Sequence, residues 1–129
     1  MYDDYAHHPT EIAATLATAR DLGARRVLVL FQPHLYSRTR HLADEFGAAL
    51  SSADVVAVTD VYRAREQPID GVSGKLIVDE IRNARVGWMP SLERGAGWLA
   101  SLAQAGDFVL TVGAGDVDSV VPVLLETLS

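Results

Sequence analysis

Val27-Leu28-Val29-Leu30-Phe31, followed at once by Gln32-Pro33-His34-Leu35-Tyr36-Ser37-Arg38, decides the fold. A short run that is apolar at every position reads as a strand covered on both faces. A proline and a group of polar residues interrupt it, and helical spacing then takes over with Leu42, Phe46 and Leu50. The same alternation recurs on either side. Strands are expected at Val55 to Thr59, Val86 to Met89 and Phe108 to Val112, each apolar on both faces. Short Val-, Leu- and Phe-rich runs separated by segments of helical period generate crossover connections, so the expected class is α/β, a Rossmann-like open, mostly parallel sheet with helices on both faces.

The connecting helices follow from their periods. Ile12, Leu16, Ala19 and Leu22 recur on one face between Pro9, which suits a first-turn position, and Gly23, which suits a C-terminal stop. This predicts a helix over Pro9 to Leu22. A second is expected over Thr39 to Leu50, a third near Lys75 to Ile81, a fourth near Leu92 to Ala103 and a last one over Ser119 to Leu128, with Pro122 in its first turn. The only long connection, Tyr62 to Gly74, is polar and broken by Pro68, Gly71 and Gly74, as functional or mobile loops are.

A length of 129 residues, 49% hydrophobic and 22% charged, fits one domain with a single core, residues 1–129. Eleven basic against seventeen acidic residues give a net charge of −6, which provides no broad basic footprint for nucleic acid or an anionic membrane. The absence of cysteine excludes disulfides, thiolate catalysis and zinc-thiolate sites. No apolar run approaches a membrane span and Met1-Tyr2-Asp3-Asp4 is acidic, so a cytoplasmic location is the simplest expectation.

In open α/β sheets ligands bind beyond the carboxyl ends of the strands. Four segments there carry more chemistry than a connection needs: Asp3 to Pro9, Gln32 to Arg38, Asp60-Val61-Tyr62 with its loop, and Gly113 to Asp116. All four are expected to open onto one edge. Asp3, Asp4, His7 and His8 are types that ligate divalent metals, but helix capping and hydrogen bonding are the favoured reading and no metal site is assigned. Asp4 is suited to accept from ribose hydroxyls, and Tyr5 or His7 to lie against a base or a polar substrate group. Arg38 and Arg40 flank an expected helix start, where backbone N–H groups and a guanidinium together suit a carboxylate or phosphate, with His34 close by; Arg40 and His41 are equally readable as a solvated helix face. Gly113-Ala114-Gly115 has Asp118 in place of the third glycine of a dinucleotide fingerprint, and a tight turn with Asp116 near a helix start explains it as well. Gly71 to Leu76 imitates a phosphate-binding loop without its first glycine or its hydroxyl.

Asp3-Asp4-Tyr5-Ala6-His7-His8-Pro9-Thr10-Glu11-Ile12 closely resembles one signature of the UDP-N-acetylmuramate:L-alanine ligases of the Mur ligase family, and Phe31 to Arg40 resembles a second at the expected distance. The loop from Asp60 through Pro68 and the turn from Gly113 to Asp116 are also similar to that family. The resemblance implies that the chain is the third of three domains and starts inside the strand entering it, with the N-terminal UDP-sugar domain and the central domain, which carries the ATP and Mg2+ sites, as its partners. It implies an enzyme that phosphorylates the muramate carboxylate of UDP-N-acetylmuramate with ATP and lets the amine of L-alanine attack the acyl phosphate. In that scheme Asp4 contacts the nucleotide ribose, Tyr5 and His7 face the nucleotide and substrate cleft, and His34 with Arg38 receives the alanine. Tyr62, Glu66, Gly113, Gly115 and Asp116 are secondary candidates. This fragment alone is expected to bind no cofactor tightly and to be inactive. Many members carry Arg after the histidine that matches His34, whereas this chain has Leu35; either carboxylate capture rests more on Arg38 or Leu35 marks a branch of the family. The alternative is a freestanding Rossmann-like module that binds a nucleotide or a partner without catalysis.

Overall fold

The computed structural model describes the backbone of residues 2–4 and all of residues 8–62 and 65–113. The elements are β1 (Tyr2–Asp4), α1 (Pro9–Asp21), β2 (Arg26–Phe31), α2 (Tyr36–Leu50), β3 (Val55–Val58), α3 (Lys75–Val78), β4 (Arg85–Trp88), α4 (Leu92–Leu102) and β5 (Asp107–Val112). The expected last helix, Ser119 to Leu128, lies outside the described residues.

All strand pairings are parallel, in the order β1-β5-β2-β3-β4. Right-handed crossovers that step from β1 to β2, β3 and β4 must run over one face, and the return from β4 to β5 over the other. The core divides accordingly. Val27, Val29 and Phe31 of β2 pack with Ile12 and Leu16 of α1, Phe46 and Leu50 of α2 and Ile77 of α3. Leu28 and Leu30 point the opposite way, with Val55 and Ala57, against Ala96 and Leu99 of α4. The two-residue period of a strand thus supplies both layers of core from one apolar run.

Three expectations need correction. Leu22 does not join the apolar face of α1: the helix ends at Asp21, Leu22 is its C-cap, and the left-handed Gly23 (φ +89°) turns the chain away, leaving Leu22 69% exposed. It borders a shallow pocket of about 150 Å³ between α1 and Phe108 at the amino edge of the sheet, opposite the edge where the candidate site residues lie. The third helix is a single turn, and Glu80 and Ile81 close onto Ile77 and Val78 by i→i+3 bonds. The fourth strand starts one residue earlier than expected, at the exposed Arg85, whose guanidinium lies 6.0 Å from the Trp98 ring centroid; its apolar residues do serve both faces, Val86 and Trp88 packing against one core layer and Met89 against the other.

The amino ends of the two central strands are tied by a bidentate pair. Arg26 Nε donates to Asp107 Oδ1 at 3.1 Å and Nη2 to Oδ2 at 2.6 Å, and the Asp107 side chain is 1% exposed. Arg26 holds the Asp107 carboxyl below the usual carboxylate range, against the opposing effect of burial. At the other end, Gly74 lets the start of α3 lie against the end of β3: a Cβ there would sit 2.2 Å from the Thr59 carbonyl oxygen and 2.8 Å from Trp88 Cζ3.

Candidate functional site

The carboxyl ends of the strands stand in line. Gln32 N–H donates to Val112 O, Thr59 N–H to Phe31 O, and Met89 N–H to Val58 O, so the segments leaving β5, β2, β3 and β4 emerge at one edge. The register of β1 puts Asp4 opposite Val112 at that same edge, and the buried Gly113 follows directly. For Asp4 only the backbone is described, while Tyr5, His7, Gly115 and Asp116 lie outside the described residues.

The segments after β2 and β3 are joined to each other. His34 and Tyr62 form an isolated parallel bridge, in which Leu35 N–H donates to Tyr62 O at 2.9 Å and Tyr62 N–H to Pro33 O at 2.8 Å. The two strands thereby continue pairing past the interruption at Pro33, which has no N–H to offer. Above this bridge the imidazole of His34 and the phenol ring of Tyr62 are stacked. Among the described residues, Tyr62, 38% exposed, is one of the few large apolar side chains open to solvent.

The helix after β2 begins one turn earlier than the sequence suggests, at Tyr36 instead of Thr39. Its N-cap, Leu35, offers no side-chain acceptor and sits at φ 71°, ψ 134°, a region that side chains rarely adopt. Thr39 closes the first turn, with both its N–H and its hydroxyl donating to Leu35 O. The missing cap comes from Glu66, 29 residues beyond Ser37: its carboxylate accepts from Ser37 N–H at 3.1 Å and from the Ser37 hydroxyl. The Ser37 hydroxyl, and to a lesser degree the backbone donors of Ser37 and Tyr36 and the charge on His34, hold the Glu66 carboxyl below its ordinary range.

Arg38 therefore lies inside the first turn of α2 and does not flank its start. Of the backbone donors at this helix start, Ser37 N–H is already used by Glu66. What remains open is the guanidinium: Arg38 Nη1 is buried and has no hydrogen-bond partner among the described residues. Arg40 and His41, by contrast, are exposed, as a solvated face requires. His8 takes the capping role that was favoured for it, its Nδ1 accepting from Thr10 N–H at 3.2 Å at the start of α1. The structure thus joins His34 to Tyr62 and Glu66 to the first turn of α2, in which Arg38 follows Ser37. Ser37, to which no role was assigned, belongs to that turn; its signal in the sequence is a helix start with no capping residue at position 35.

A family model described as "Mur ligase, glutamate ligase domain" matches residues 1–115. The chain belongs to that Mur ligase domain family. Among curated proteins it is 57% identical over 120 residues to the UDP-N-acetylmuramate--L-alanine ligase of Mycolicibacterium smegmatis, covering 91% of this chain and 25% of that protein. The protein of the same name from Paenarthrobacter aurescens is 52% identical, with 99% of this chain and 28% of the relative covered. The chain spans only about a quarter of such relatives. Two solved structures share the Mur ligase domain fold. One is a domain from a putative UDP-N-acetylmuramate:L-alanyl-gamma-D-glutamyl-medo-diaminopimelate ligase of Haemophilus ducreyi, at TM-score 0.71 and 23% identity, covering 98% of this chain and 89% of that one. The other is a murein peptide ligase of Psychrobacter arcticus, at TM-score 0.73 and 20% identity, covering 96% and 26%.

The cofactors such ligases imply find no cradle in the described residues. No group of three His, Cys, Asp or Glu side chains converges as a metal site there. The Gly71 to Lys75 turn is closed at Gly74 by the Thr59 carbonyl, where a phosphate-binding loop would present open backbone donors. No helix among the described residues is long and apolar enough to cross a membrane.

Proposed function

We propose that this chain is the C-terminal domain of a cytoplasmic, ATP-dependent ligase that joins L-alanine to UDP-N-acetylmuramate, and that its part in the reaction is to receive and orient the alanine. The observation that carries this reading is the guanidinium of Arg38, whose buried Nη1 has no hydrogen-bond partner among the described residues, four residues on from His34, which stacks on Tyr62. A planar guanidinium in a partly desolvated place suits the carboxylate of an amino acid. The stacked imidazole fixes one wall against which the small substrate can lie.

Activation of the muramate carboxylate belongs to the partner domains, which hold ATP and Mg2+; this domain contributes by closing over them. Its residues then act through positioning and charge, and a well-oriented amine gains most of its advantage from reduced freedom at the moment of attack. The register of β1 puts the Asp4 backbone at the same edge as Gly113, which supports its assignment to the nucleotide ribose; Tyr5 and His7 are assigned to the nucleotide and substrate by the family signature alone.

Steady-state kinetics of the full-length ligase test the assignment. Arg38→Ala removes a charged hydrogen bond of about 1.5 to 3 kcal/mol and should raise the alanine KM roughly ten- to a hundred-fold with little change in the ATP KM. Asp4→Ala should do the reverse. If Arg38→Ala impairs both substrates equally, the residue serves closure or folding and the alanine-carboxylate role is wrong. Purified alone, the chain should neither hydrolyse ATP nor form the amide.

A further inference from the structure

The site contains a carboxylate with no place in the scheme above. Glu66 sits in the loop after β3, yet its oxygens are spent on α2, on the N–H and hydroxyl of Ser37. An acidic side chain at a helix N-terminus is favourable in itself, since it meets unsatisfied donors and the positive end of the helix dipole. Here it does more than cap. The β3 loop is already joined to the segment after β2 at Tyr62, through the paired backbone of Pro33 and Leu35. Glu66 adds a second attachment four residues along the loop, and Arg38 is the residue immediately after the one it grips.

We propose that Glu66 is a positioning residue for the amino-acid substrate: by clamping the loop after β3 to the first turn of α2 through Ser37, it fixes the aim of the Arg38 guanidinium. This rests on the reading of Arg38 as the alanine-carboxylate receptor. Two further features of the geometry support it. Leu35, the residue before this turn, is held in a strained backbone conformation and supplies no cap of its own, so the turn depends on a distant anchor. With the Ser37 N–H and hydroxyl taken by Glu66, the Arg38 guanidinium, whose Nη1 has no hydrogen-bond partner among the described residues, is the charged group that this turn offers a substrate carboxylate.

The test uses the full-length ligase with Glu66→Ala, Glu66→Gln and Ser37→Ala. A displaced binding group costs affinity and rate steeply. Glu66→Ala is therefore expected to raise the alanine KM roughly tenfold while the ATP KM stays within about twofold. Glu66→Gln, whose amide can accept from Ser37 N–H and donate to its hydroxyl, should restore most of the parent value, and Ser37→Ala should fall between the two. An unchanged alanine KM in Glu66→Ala overturns the inference, and so does an equal rise for alanine and ATP, which is the mark of a merely structural cap. A lowered alanine KM also overturns it, since Glu66 would then be competing with the substrate carboxylate for the helix end. The parent enzyme separates this from the broader reading: absence of alanine-dependent turnover there rejects the proposed function itself, whereas normal parent turnover with unaffected variants rejects only the role of Glu66.

Discussion

The rings of His34 and Tyr62 lie 5.7 Å apart at their centroids and within 15° of parallel, on residues that leave two different strands. The stack rests on a backbone bridge, so the orientation of the imidazole is set by both loops together.

Removing one ring tests what the stack does. Aromatic pairs contribute about 0.5 to 1.5 kcal/mol beyond simple burial, so Tyr62→Ala in the full-length ligase should raise the alanine KM roughly two- to tenfold. Tyr62→Phe, which keeps the ring, should stay near the parent. A loss in Tyr62→Phe equal to that in Tyr62→Ala would show that the hydroxyl matters and the stack does not.

The strained N-cap gives an inverted mutational order. At an ordinary loop or helix position Ala is at least as stable as Gly, but Leu35 stands at φ 71°, ψ 134°, where a Cβ is costly. Leu35→Gly is expected to be more stable than Leu35→Ala by about 1 kcal/mol in urea denaturation. The opposite order would mean that the backbone there is not strained.

Close approach at Gly74 predicts the opposite sensitivity. A methyl group would meet the Thr59 carbonyl at 2.2 Å, and backbone cannot yield as a flexible side chain can. Gly74→Ala should cost about 1 to 3 kcal/mol in the same measurement, and at this N-cap position of α3 alanine brings no gain in helix propensity to offset it. Gly97→Ala, where nothing lies within 4 Å of the added group, is the matched control and should be neutral or stabilising.

Acid should weaken the domain partly through Asp107. Its folded-state pKa is lowered by Arg26, so its contribution is fully present above the unfolded value near 4 and is lost as pH falls through the lower folded value. Asp107→Asn should therefore lower the denaturation midpoint at pH 7, and the gap between variant and parent should shrink as pH is taken below about 4. A gap independent of pH would place the effect in packing and not in the ion pair.

What the sequence disclosed follows the range over which each feature is determined. The strands at Val27, Val55 and Phe108 were legible because burial on both faces forces continuous apolar runs. The strand Tyr2–Asp4 was foreseen only through the family resemblance, since three residues with two acids carry no such pattern and owe their conformation to pairing with Leu110 to Val112. The early start of α2 escaped for the same reason: nothing local at Leu35 caps it, and the acceptor is Glu66. His34 and Arg38 were recognisable as chemistry-bearing residues after a strand. That Tyr62 and Glu66 would be the partners of their segment depends on the register between two loops, which no single stretch of sequence contains.

The strand order has a consequence for how the domain is made. The last described strand, Asp107–Val112, lies between the first two, pairing with β1 on one side and along all of β2 on the other. As the chain leaves the ribosome, β2, β3 and β4 can associate early, but β2 keeps a bare apolar edge and β1 has no neighbour until residue 112 has been synthesised. Translation that stalls or terminates before this point would release a sheet with its central seam open, primed for pairing with another nascent chain. The domain thus cannot complete its sheet until residues 107–112 are free to pair, and premature products should be recognised by chaperones and proteases through the uncovered flank of Arg26 to Phe31.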